Sequence, residues 1–271
     1  MKKSIKVITV VMSLLLIISL LLGVASQVSN IVPGSVQYAE FGGVSPILHS
    51  VAYQSDSGDF TQIEGGHLFS FGDDITASEI YISYMYEVDG VFKNESSPEY
   101  LTFDFDIALD GYESKLLPYL LFFDGSKNVG TTQIVILSSE GDNTLVEYQD
   151  NGVVKKSRVY LDDVLHFTYV YNFTDVNAGG MVRPEVNVYI NGVFFENYYP
   201  CGGDVRVTKF LNHFRFHTPK KYCKVREGGF KLTNVECNYF SQGYEGAITE
   251  LFESHLIKLQ DCTDSILFGK D

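Results

Sequence analysis

Tryptophan is missing from the 271 residues, cations are few (20 Lys and Arg against 34 Asp and Glu), and the four cysteines are widely spaced. Each shortage excludes something. The net charge of −14 repels nucleic-acid phosphates and anionic bilayer surfaces, so nucleic acid is not an expected partner. No cysteine pair has the C-x₂₋₄-C spacing of a structural zinc site. Without Trp, any stacking of rings on sugars falls to the 18 tyrosines. No G-x-S-x-G elbow and no glycine loop ending in Lys and Ser/Thr occurs, so neither an esterase-type nucleophile nor a P-loop is expected.

What is present begins with MKKSIK and an apolar run over residues 7–25, the pattern of an export signal. Val24 and Ser26 suit a cut before Gln27, and Gly23 with Ala25 suits one before Ser26. The 19-residue run, at about 1.5 Å per residue, also nearly spans a hydrocarbon core of roughly 30 Å, so a retained signal anchor tethering the protein to the membrane is the alternative. The expected location is secreted or at the extracellular surface. In an oxidising compartment Cys201, Cys223, Cys237 and Cys262 are expected to form two disulfides, with three connectivities open. Asn94 and Asn172 begin N-x-S/T glycosylation triplets, which matter only in a eukaryotic source.

Beyond the leader, short runs of Tyr, Phe, Val, Ile and Thr alternate with Gly, Asn, Asp and Ser turns, which predicts an all-β domain. Strands are expected at 80–88, 100–109, 116–123, 133–138, 144–149, 165–172, 185–190 and 193–198. Asn191-Gly192 and Asn151-Gly152 are type I′ hairpin signals, because both residues tolerate positive φ; Asp89-Gly90, Asp110-Gly111 and Asp124-Gly125 repeat the device. In YLTFDFDIAL, Leu101, Phe103, Phe105 and Ile107 share one face and Thr102, Asp104 and Asp106 the other, which puts the phenylalanines in a core and the aspartates outside or on a binding face. The expected organisation is a signal or anchor (1–26), a leader (27–43), a two-sheet sandwich (44–240) and an extension (241–271). Ile248, Leu251, Phe252, Leu256 and Leu259 predict a short helix in that extension.

Leu165-His166 opening one strand, Val188-Tyr189-Ile190-Asn191-Gly192 in a second and Thr233-Asn234-Val235 in a third resemble the concanavalin A-like lectin/glucanase superfamily, its laminin-G-like branch above all. The likeness covers about residues 101–240 and departs where Leu165 replaces the usual tryptophan. It implies an antiparallel jelly-roll sandwich whose concave face often binds sugar. It also implies calcium held by loop aspartates, for which Asp124 and Asp142 are the first candidates and Asp73, Asp74, Asp162 and Asp163 the next. The paired glutamates of the glucanase members are missing: Asp104, Asp106 and Asp110 lack their spacing. Gln133-Ile134-Val135 is similar to the Q-[IV]-H strand of alginate lyases on this fold, with Val135 in place of the histidine.

Strand parity in Asn212-His213-Phe214-Arg215-Phe216-His217 puts His213, Arg215 and His217 on one face and both phenylalanines on the other. This row is suited to an anionic or hydroxylated glycan, since Arg makes bidentate bonds to carboxylate or sulfate. Tyr198 and Tyr199, and the cluster Tyr81, Tyr84 and Tyr86, are candidate sugar-stacking sites, though Tyr also fills strands and cores. A metal site from the two histidines needs a third ligand that the sequence does not place. The leading expectation is a non-catalytic exported module binding a glycan or a cell-surface protein. The alternatives are a divergent polysaccharide hydrolase or lyase, and a structural adhesion protein.

Overall fold

A computed structural model of the chain describes residues 42–44, 47–53, 58–71, 80–85, 99–125, 127–223 and 228–240. All belong to one unit, Ala39–Asp271. The signal or anchor segment, most of the leader, the helix expected at 246–259, and Asp73, Asp74, Tyr86, Asn94 and Cys262 lie outside the described residues. Among the described residues no helix is long and apolar enough to cross a membrane.

The strands in chain order are β1 (Gly42–Val44), β2 (Ile47–Tyr53), β3 (Gly58–Ile63), β4 (Gly66–Phe71), β5 (Ile80–Met85), β6 (Tyr100–Asp110), β7 (Leu117–Asp124) and β8 (Lys127–Asn128). They continue with β9 (Gln133–Glu140), β10 (Asn143–Asp150), β11 (Val153–Tyr160), β12 (Leu165–Asn172), β13 (Glu185–Ile190), β14 (Val193–Tyr198), β15 (Lys209–Thr218) and β16 (Gly228–Phe240). A 3₁₀ turn, Lys220–Tyr222, follows β15. The strands pair antiparallel. One sheet has the order β14-β13-β12-β6-β16-β4-β3, with β1 also on β16. The opposing layer consists of β2-β5-β15-β7-β8 and β11-β10-β9. Leu116 and Leu137 exchange backbone hydrogen bonds of 2.8 and 2.9 Å and join those two sheets edge to edge.

Aromatic side chains from the alternating positions fill the space between the layers. Phe103 of β6 stacks on Phe214 of β15 with ring centroids 4.1 Å apart, and Phe105 meets Phe216 edge-on at 4.8 Å. Phe167, Tyr169 and Tyr171 on β12 continue the same layer, fully buried. The period of two read from the sequence therefore fixes which face of each strand is core. Turn chemistry sets the hairpins: Asn191 and Gly192 have φ of 51° and 72°, and Asn151 and Gly152 have 49° and 78°, the conformations a type I′ turn requires.

Two features escape the alternation rule. In β11 every residue but Tyr160 is exposed, so VVKKSRVY shows no apolar face; it is an edge strand, and its Lys155, Lys156 and Arg158 suit an edge. The β3–β4 hairpin is held against β16 by close backbone approach. A Cβ on Gly66 would collide with the Leu232 carbonyl, so only glycine fits there.

The two-disulfide expectation is corrected for the described cysteines. Cys201, Cys223 and Cys237 are free thiols. Cys237 lies in β16 and Cys201 follows β14, and these strands stand four spacings apart in one sheet, about 19 Å, far beyond disulfide reach. Burial drives the Cys201 thiol up to about 12, and burial with the neighbouring Asp104 raises that of Cys237 well above the ordinary value.

Candidate functional site

On the outer face of β7, β9 and β15, away from the aromatic core, lies a cleft of about 290 Å³. Its floor is a small apolar cluster, Leu117, Ile134 and Ile136, the outward-facing residues of β7 and β9. Tyr119 of β7 and His217 of β15 form one wall, with the tyrosine hydroxyl 3.1 Å from the imidazole Nδ1. Tyr81 of β5 stacks flat on the same imidazole with 4.3 Å between centroids, which fixes the ring plane from behind. Tyr222 and Lys221 in the 3₁₀ turn complete the lining with Gln149, Gly152, Thr131 and Thr132, and Tyr222, like Tyr119, packs against the apolar floor.

The local sequence explains this placement. The run of β15 stops at Pro219, whose missing N–H cannot continue the sheet, and the 3₁₀ turn folds Lys221 and Tyr222 back beside the floor. Lys221 lies 4.5 Å from the Tyr222 ring centroid, and the Lys115 ammonium lies 5.6 Å from it. Lys115 also donates to Glu147 Oε2 at 2.6 Å, which neutralises a carboxylate on the outer face of β10. None of the twelve lining residues is acidic, in a chain with 34 Asp and Glu. Two-carboxylate hydrolysis therefore has no acid pair in this cleft.

The sequence candidates are distributed as follows. Arg215 and His217 share the outer face and Phe214 and Phe216 are core, as strand parity expects. The His213 side chain lies outside the described residues. Tyr84 points inward and hydrogen-bonds His67 Nδ1 at 3.0 Å, while Tyr81 points outward to the cleft side. Tyr198, 3 % exposed, stacks on Tyr148 within the sandwich, so the structure places its ring in the core and not on a ligand-facing surface. Tyr199 is half-buried beneath the Arg183 guanidinium, 4.7 Å from its ring centroid, and its N–H donates to Gln133 Oε1 at 3.0 Å. Neither residue lines the cleft.

Asp124 and Asp142 do not meet. The antiparallel Leu116–Leu137 bridge puts Asp124, at the far end of β7, and Asp142, in the turn after β9, at opposite ends of the sheet, roughly 40 Å apart. One calcium ion cannot take both. Among the described residues no three His, Cys, Asp or Glu side chains group as a metal site. Asp162 instead accepts a hydrogen bond from Asn191 Nδ2 at 3.1 Å.

Asp104 and Asp106 belong to a structural network on the other sheet. Asp104 is 3 % exposed and accepts from Thr168 Oγ1 at 2.6 Å. Asp106 Oδ1 lies 2.6 Å from His166 Nδ1, and Asp106 Oδ2 accepts from Asn234 Nδ2 at 2.6 Å. Asn234 reaches it from a bulge in β16, where its φ is 51°. His166 in turn donates its backbone N–H to Asn191 Oδ1 at 2.9 Å. The three segments that carry the family resemblance thus converge, through His166, Asn191 and Asn234, on one carboxylate. Both aspartates stand on the face opposite the phenylalanine core, as the alternation predicts, but Asp104 is buried there, and both are engaged in cross-strand pairing.

Sequence reading missed Tyr119, Gln149, Lys221 and Tyr222. The parity of LPYLLFF does place Tyr119 opposite the buried Leu120 and Phe122, which is the one local signal for it. The others enter the cleft from segments that no periodicity links.

No protein-family model matches the chain, and no curated protein matches it in sequence. Among solved structures it is similar to the binding domain of botulinum neurotoxin DC in complex with SialylT, at 11% identity and a TM-score of 0.40, over 76% of this chain and 46% of that one. It is similar also to the botulinum neurotoxin type G receptor binding domain, at 12% identity and a TM-score of 0.36, over 81% and 46%. The alginate lyase vAL-1 from Chlorella virus gives 9% identity and a TM-score of 0.41, over 71% and 92%. The chain spans under half the length of the neurotoxin domains it matches. Similarity this distant says nothing of ligand or activity; the chain itself is an antiparallel β-sandwich by its own strand pairing and core.

Proposed function

We propose that the domain is a non-catalytic glycan-binding module that holds a sugar in the cleft between Tyr119, His217 and Tyr222. The observation that carries this reading is the lining: an apolar floor, aromatic walls and a few polar groups, open on one side and free of carboxylates. Tyr119 and Tyr222 offer ring faces and hydroxyls, and Gln149 and His217 offer the hydrogen bonds that orient hydroxyl groups. The segment at 7–25 adds the proposal that the module works outside the cytosol, secreted or tethered, where it meets free or cell-surface glycans.

A glycan-array screen of residues 27–271 tests the reading. Binding is expected, and Tyr222→Ala is expected to weaken it about tenfold, the loss of one stacking contact and its hydroxyl. Hits unaffected by Tyr222→Ala and Tyr119→Ala together would show that sugar binds elsewhere.

A second reading rests on the 3.1 Å contact between the Tyr119 hydroxyl and His217. Such a pair can take the proton next to a uronate carboxyl and return one to the departing glycosidic oxygen, which is lyase chemistry. Growth of ultraviolet absorbance from a new C=C bond in a polyuronate incubation, abolished by His217→Ala, supports this reading; an unchanging spectrum favours binding alone.

A further inference from the structure

Resting on the glycan-binding reading, we infer that the cleft selects an acidic sugar, with Arg215 as the group that takes its carboxylate. Of the described arginines, Arg183 and Arg206 are ion-paired with Asp175 at 2.6 and 2.7 Å, and Arg158 hydrogen-bonds Tyr160. Among the described residues Arg215 has no ion-pair partner, and its Nε is buried without a hydrogen bond. Its guanidinium lies 5.7 Å from the Tyr81 ring centroid, and its strand neighbour across the pair is Tyr119, which lines the cleft. A half-buried guanidinium with no ion-pair partner among the described residues, on the strand face that carries the cleft, is a fork for a planar carboxylate.

The charge around it agrees. His217 and Lys221 line the cleft, and Arg215, two residues before His217 on the same face of β15, stands beside it across from Tyr119. Lys115 covers the nearby Glu147. Arg215 and Lys221 give this stretch two positive charges on a chain of net charge −14, whose overall field works against anions, so its local sign is opposite to the protein as a whole. A neutral glycan needs no such row. The aromatic walls distinguish the ligand from a bare anion, since phosphate or acetate leaves Tyr119 and Tyr222 without a contact.

The test titrates the protein, residues 27–271, with a panel of carboxylated oligosaccharides that includes oligogalacturonate, each paired with its methyl ester, and with dextran and dextran sulfate. The acid is expected to bind at least about tenfold more tightly than its ester, with the preference shrinking as salt is added. Arg215→Gln and Lys221→Gln are each expected to reduce the preference, about tenfold or more and about threefold respectively, and Arg215→Lys to restore part of it. Lys221 is exposed, so its variant reports on charge even where Arg215→Gln unfolds the domain. Preference for dextran sulfate over dextran, lost in Arg215→Gln, supports the same site with sulfate as the acid. Equal binding of acid and ester through the cleft overturns this inference and leaves the glycan reading standing. Binding of no sugar by a folded protein overturns both.

Discussion

Phe105→Ala should cost the domain about 3–5 kcal/mol, read as a shift in the midpoint of urea unfolding at constant slope. Phe105 is 0 % exposed in the centre of β6. It stacks on Phe167 at 5.2 Å, meets Phe216 edge-on at 4.8 Å and has Tyr169 and Phe214 at 6.0 Å, so it ties both layers together. Truncation removes the transfer energy of a whole ring and leaves a cavity in an aromatic lattice that has little freedom to collapse. With total stabilities of about 5–15 kcal/mol for domains, such a loss leaves the variant marginal. Phe194→Ala is the matched control, since Phe194 is 51% exposed on β14 and should change stability by less than about 0.5 kcal/mol. Equal costs for the two variants would contradict the assignment of the β6 faces.

Alkaline pH should unfold the domain between about pH 10 and 12, through groups that burial holds neutral. Cys201 and Cys237 have thiol pKa values raised above the ordinary 9.0, and Tyr84, Tyr169, Tyr171 and Tyr198 have phenols raised above 10.0, all with desolvation as the leading cause. A folded-state pKa above the unfolded one gives stability that is complete below the unfolded value and lost as pH rises toward the folded value. The thiols therefore begin to count near pH 9 and the phenols near pH 10. At about 1.4 kcal/mol per group per pH unit, two thiols over two units and four phenols over one take away roughly 10 kcal/mol by pH 11. Circular dichroism should show one cooperative loss, with phenolate absorbance from the buried tyrosines appearing at the same pH. Gradual phenolate absorbance from pH 10 with the fold intact would show that these rings are accessible to water.

The elements behind these expectations are legible in the amino-acid sequence to different degrees. The strands at 165–172, 185–190 and 193–198 have the bounds that the sequence predicts, because the alternation in 185–190 is strict and Asn191-Gly192 admits one turn type. The strand β11 is not legible, since an exposed edge strand carries no apolar period. Parity alone places Arg215 and His217 together on an outer face. It cannot supply their partners, because Tyr119 is 98 residues from His217 in the chain and joins it only through the pairing of β7 with β15. Asp104 and Asp106 show the opposite limit. Their alternation is plain, but the burial that turns them from surface groups into partners of Thr168, His166 and Asn234 depends on neighbours from β12 and β16. The disulfide expectation fails for the described cysteines for a similar reason: compartment and count suggest pairing, whereas sheet order keeps Cys201 and Cys237 apart.

The central claim is that sugar occupies the cleft on β7, β9 and β15. A crystal structure of the protein with an oligosaccharide taken from the array hits tests it most directly. The account predicts a sugar ring seated over Leu117 and Ile136 between Tyr119 and Tyr222, with a carboxylate turned toward Arg215. Sugar found on the opposite sheet against Asp106 and His166, or at the hairpin tips, with this cleft holding only water, would contradict it.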